Sequence, residues 1–78
     1  MKTMKEKLLN IFKEEFSDID FELSTALIDD GILDSIVLVE LISIISMEFG
    51  VSIPYEEIIP ENFNSVDAMA QMLERLGA

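Results

Sequence analysis

The stretch "GILDSIVLVEL", Gly31 to Leu41, holds only three polar side chains, Asp34, Ser35 and Glu40, in an otherwise apolar run led by glycine. This is a turn feeding a helix. Gly31 suits a tight turn, Asp34 suits the N-cap position, and Leu38, Leu41, Ile42, Ile45 and Phe49 recur at the spacing of one buried helical face. The pattern predicts a helix from Ser35 to about Phe49, stopped by Gly50 in the left-handed conformation. Its apolar part, Ile36 to Met47, is broken by Glu40 and two serines and falls short of the roughly 20 residues that span a bilayer, so it belongs in a folded core.

Ser35 needs a separate explanation. Next to a capping aspartate it is either part of the cap or a reactive group presented at a helix end. A serine in the first helical turn sits where backbone N–H groups and the positive end of the helix dipole favour a phosphate. No histidine exists in the chain and the lysines are confined to residues 2–13, so Ser35 has no base beside it in sequence to activate it as a nucleophile. It reads as an acceptor modified by another enzyme.

Outward from this stretch the helices are short and the loops well marked. "TMKE" offers a capping box at Thr3 and Glu6, and Met4, Leu8, Ile11, Phe12 and Phe16 form the buried stripe of a first helix. Residues 17–33, "SDIDFELSTALIDDGIL", are a long connection expected to lie over the core through Phe21, Leu23, Leu27, Ile28 and Leu33. Within it, "DIDFELSTALIDD" has acids at alternate positions but lacks the glycine at the sixth position and the terminal glutamate of a calcium loop, so no metal site is expected. After Gly50, "VSIP" is extended and "YEEII" has room for one or two helical turns. A last helix opens at "NSVD", capped by Asn64 or Ser65, and buries Val66, Met69, Ala70 and Leu73 before Gly77. The expected fold is all-α: a small four-helix bundle with three longer helices, one short third helix, and a long loop between the first two.

Composition narrows the function. Seventy-eight residues, 50% of them apolar, make one domain spanning residues 1–78. The absence of His and Cys removes the usual metal ligands, the Ser-His-Asp and Cys-His systems and any disulfide, so no catalysis is expected of the chain alone. Sixteen acids against five bases give a net charge of -11, which repels nucleic acid and anionic membranes and favours a partner with a basic docking patch. "MKTMKEKLLNIF" lacks the apolar core and cleavage site of a signal peptide, so a cytoplasmic location is expected.

The stretch "DDGILDSIVLVELISIISMEFGVSIPYEEIIPENFNSVDAM", Asp29 to Met69, resembles the acyl carrier protein family, which includes peptidyl and D-alanyl carriers. The resemblance rests on the G-x-x-DS-[LI] turn, the helix ending in E-F, the "IP" before a short helix and the F-x-S-V entry to the last one. It implies that Ser35, in the Asp34-Ser35 motif, is esterified by 4'-phosphopantetheine, whose thiol carries cargo as a thioester. The thiol is thus imported into a chain without cysteine. The implied partners are a phosphopantetheinyl transferase, an adenylating acyl or aminoacyl ligase and cargo-accepting enzymes, with the carrier itself a monomer.

Carriers of fatty acid synthesis commonly place acids along the helix after the serine. Here those places hold Val37, Ser43, Ser46 and Met47, and Glu40 alone remains. Docking is therefore expected to be less ionic, through Ile36, Val37, Glu40, Ser43 and Met47, which helical spacing puts on or near the face opposite Leu38, Leu41, Ile45 and Phe49. The leucine directly before Asp34 is similar to D-alanyl and discrete peptidyl carriers. The competing reading from composition alone is an unmodified acidic helical adaptor that binds partners through the same helix.

Overall fold

Thr3 starts the first helix. In the computed structural model, which describes residues 2–23 and 25–78, its hydroxyl accepts the N–H of Glu6 at 3.2 Å while the Glu6 carboxylate accepts the N–H of Thr3 at 3.2 Å. This reciprocal box satisfies two backbone donors that a helix end leaves over. The resulting α1 (Met4–Glu15) buries Leu8 and Phe12. Phe12, Phe16 and Phe21 stack with centroids 4.9 to 6.4 Å apart, so the chain beyond α1 folds straight back onto it.

The long connection is anchored at Phe21, Leu27 and Leu33, all buried. Ile28 is half-buried, but Leu23 is 81% exposed and anchors nothing. A local turn decides this: Asp20 Oδ1 accepts the N–H groups of Glu22 and Leu23 and turns the chain there.

α2 (Ser35–Phe49) follows, capped by Asp34 and stopped by Gly50 at φ +62°. Only Leu41 and Ile45 of its expected inward stripe are fully buried; Leu38, Ile42 and Phe49 are half-buried against the core. The apolar residues surround this helix, so no single narrow face can hide them all.

The short third helix is two pieces. "YEE", Tyr55–Glu57, forms a 3-10 turn, and an unanticipated α-helical turn, α3 (Pro60–Phe63), follows it with proline near its start. Pro60 has no N–H to donate and cannot continue the preceding turn, so the chain restarts there. α4 (Val66–Arg75) is capped by Ser65, whose Oγ accepts the N–H of Ala68 at 3.1 Å. Met72 joins the expected Val66, Met69, Ala70 and Leu73 in its buried face. α4 packs against α1 and α3, and together with Leu41, Ile45 and the loop anchors they enclose one core cluster. There is no strand among the described residues. The Cα radius of gyration, 11.3 Å, matches the roughly 11.5 Å of a close-packed chain of this length, so the long connection is folded in. Among the described residues no helix is long and apolar enough to cross a membrane.

Candidate functional site

The backbone of Asp34 is extended, at φ -81° and ψ 177°, and Ser35 is the first helical residue after it. Asp34 Oδ1 accepts the N–H of Val37 at 2.8 Å, and its carbonyl accepts the N–H of Leu38 at 2.9 Å. The carboxylate is thereby turned into the helix end. Ser35 lies exposed beside it, with no further acid in the first turn of α2. An anion attached to the Ser35 oxygen would sit at the positive end of a 15-residue helix.

The four lysines lie in the first 13 residues and the one arginine is Arg75 in α4, so no basic side chain belongs to α2 or its entry. The Ser35 hydroxyl is accessible and chemically plain. It suits an incoming enzyme that brings its own base. The residues present fit an attached phosphodiester: a free hydroxyl, a dipole of the right sign and a neighbouring carboxylate engaged in capping.

Downstream, the outer face of α2 carries an open apolar stripe. Ile36 is 70% exposed and Met47 83% exposed, with Glu40 and Ser43 exposed between them at helical spacing. Val37 departs from the expected face. It is half-buried and packs against the core, because it lies a quarter-turn round the helix from Ile36. Val39, 64% exposed, takes its place on the open side. Its position three residues after Ile36 and directly before Glu40 was the available signal, masked by a run that is apolar at most positions. Tyr55, in the 3-10 turn, is also exposed.

Other features lie apart from this site. A groove of about 570 Å³ runs between α1 and residues 17–22, lined by Leu9, Asn10 and Lys13 on one side and Ile19 and Phe21 on the other, and no α2 residue lines it. No cluster of three or more acidic side chains among the described residues could hold a metal ion.

The family model described as "Phosphopantetheine attachment site" matches residues 6–73. A probable acyl carrier protein, PigG, of Serratia sp. (strain ATCC 39006) is 32% identical over 96% of the chain and 90% of the relative. A D-alanyl carrier protein of Streptococcus suis (strain 05ZYH33) is 35% identical over 82% of each. Aminoacyl carrier protein 2 of Bradyrhizobium diazoefficiens is 37% identical over 88% of the chain and 78% of the relative. No solved structure matches the chain significantly.

Proposed function

This chain belongs to the phosphopantetheine-bearing carrier proteins, and from that premise we propose that Ser35 is its attachment residue and that the cargo is a small aminoacyl group. The observation that carries the assignment is the exposed Ser35 at the first position of α2, beside a capping carboxylate turned inward to Val37. 4'-Phosphopantetheine supplies a terminal thiol that holds cargo as a thioester. The chain's own residues present the hydroxyl, hold the helix end around it and offer a docking face; they supply no base, so the proton of Ser35 leaves to the transferase.

The D-alanyl and aminoacyl carriers among the relatives, together with Leu33 before Asp34, support an aminoacyl cargo loaded by an adenylating ligase. Such a ligase works where ATP is plentiful, which supports a cytoplasmic site of action. In this reading residues 1–78 act as one carrier domain without catalysis of its own. Partner enzymes meet the stripe of Ile36, Val39, Glu40, Ser43 and Met47, with Val37 acting from beneath as its support. The stripe holds one acid among its five residues.

Intact mass after incubation with a broad-specificity phosphopantetheinyl transferase tests the assignment. The wild type should gain one phosphopantetheine and Ser35→Ala none, with helical content unchanged. An adduct on Ser35→Ala would move the site elsewhere. No adduct on the wild type would leave the unmodified adaptor as the better account.

A further inference from the structure

Asn64, between α3 and the cap of α4, is bonded to the loop on the far side of the sequence. Its side-chain carbonyl accepts the N–H groups of Ile28 at 3.0 Å and Asp29 at 3.1 Å. Its side-chain amide donates to Asp29 Oδ2 at 3.2 Å, and its main-chain carbonyl accepts the N–H of Leu27 at 2.8 Å. Two N–H donors on one side and a carboxylate on the other admit only one orientation of the amide. A side chain with a single kind of polar atom cannot make this set.

The contact continues to Ser35 through a short series of bonds. Leu27, pinned by Asn64, accepts the N–H of Leu33 at 3.0 Å through its carbonyl. Between them the N–H of Asp30 bonds the Ala26 carbonyl at 2.8 Å, that of Gly31 bonds the Ile28 carbonyl at 3.0 Å, and Gly31 turns the chain at φ +73°. Leu27 and Leu33 are both buried. Residues 26–33 are thus a closed turn, fastened on one side to Asn64 and ending next to Asp34 and Ser35. α2 can cap its own end locally, but nothing in that cap fixes the direction from which the chain enters it.

We propose that Asn64 is a positioning residue for the modification of Ser35: it latches the 26–33 turn to the α3–α4 junction and so fixes the entry to α2 in the arrangement the transferase binds. The proposal rests on Ser35 being the attachment residue. Without the latch, the turn samples other arrangements, and the transferase selects the competent fraction. If that fraction falls to about a tenth, KM for the carrier rises about tenfold while kcat is unchanged.

The experiment compares phosphopantetheinyl transfer to the full chain for wild type, Asn64→Ala, Asn64→Asp, the exchange variant Asn64→Asp with Asp29→Asn, and Thr3→Ala. Thr3→Ala removes a cap on α1 and serves as a control for destabilisation remote from the latch. Asn64→Ala should raise KM about tenfold at unchanged kcat. Asn64→Asp sets two carboxylates against each other and should do no better. The exchange variant restores a donor opposite an acceptor and should return KM towards wild type; Thr3→Ala should leave it alone. Amide hydrogen exchange at Leu33 and Val37 should quicken in Asn64→Ala and slow again in the exchange variant.

An unchanged KM in Asn64→Ala overturns the proposal, as does an equal rise in Thr3→Ala or an exchange variant no better than Asn64→Asp. Should the wild type accept no phosphopantetheine, the assignment of Ser35 fails on its own, and amide exchange decides the latch: wild-type protection at Leu33 and Val37 in Asn64→Ala would refute it.

Discussion

At the scale of single residues, Asp34 and Ser35 share one helix end but are tied to the fold differently. Asp34 Oδ1 satisfies the N–H of Val37, so Asp34→Ala should cost about 0.5–2 kcal/mol in urea denaturation, whereas Asp34→Ser keeps an acceptor and most of that stability. Gly31, at φ +73°, has open space where a Cβ would stand. Its requirement is purely conformational: Gly31→Ala should cost about 1–2 kcal/mol, and Gly31→Asn less, because asparagine tolerates the left-handed region. Equal unfolding midpoints for Gly31→Ala and wild type would show that the turn relaxes away from positive φ. Caps and glycine turns are legible in a sequence because their partners lie within a few residues. Asn64 was legible only as a possible cap of α4. That role fell to Ser65, while the partners of Asn64 lie 35 and 36 residues away at Asp29 and Ile28.

At the scale of elements, α2 shows what periodicity can and cannot separate. Its start and stop follow from Asp34 and Gly50, but its faces do not follow from a run that is apolar nearly all round. Burial divides it into Leu41 and Ile45 within, Val37 at the margin, and Ile36, Val39 and Met47 outside. Met47→Glu and Ile36→Asp should therefore weaken ligase loading, by about 1–3 kcal/mol in kcat/KM for a well-buried anchor, and leave the melting temperature near that of wild type. Val37→Asp should instead lower stability, because it sets a charge against the core. Loading of the wild type should decline only mildly from low to physiological salt, as an apolar stripe implies. A salt-induced collapse of loading, or full loading of Met47→Glu, would show that docking is ionic.

At the scale of the whole molecule, charge opposes the fold that the core creates. After Lys13 the chain carries fifteen acids and one base. Two ion pairs occur among the described residues: Lys5 with Asp67 at 3.2 Å, and Arg75 with Glu57 at 2.9 Å. Exposed pairs of this kind contribute about 0–1 kcal/mol each and do not cancel the excess. At 0.01 M salt the screening length is about 30 Å, as long as the molecule itself at 30 Å, so each acid feels all the others. At 0.15 M it is about 8 Å and only neighbours matter. Raising NaCl across this range should stabilise the fold by about 1 kcal/mol, or about 4–8 °C in Tm. Ca²⁺ and Mg²⁺ should act alike, since no acidic cluster among the described residues forms a coordinating site. A melting temperature indifferent to salt would contradict this picture.

The starts of α1, α2 and α4, the stop of α2 at Gly50, and the place of Ser35 in the first turn of α2 were fixed by interactions that span one helical turn, and such interactions are written in neighbouring letters. The tertiary structure alone decided the rest. It moved Val37 off the outer stripe. It also brought Arg75 onto Glu57 and Asn62, and Asn64 onto Asp29. Each of these depends on which surfaces meet once the chain has closed on itself. Residues 35 positions apart become neighbours only because the core between them has been buried.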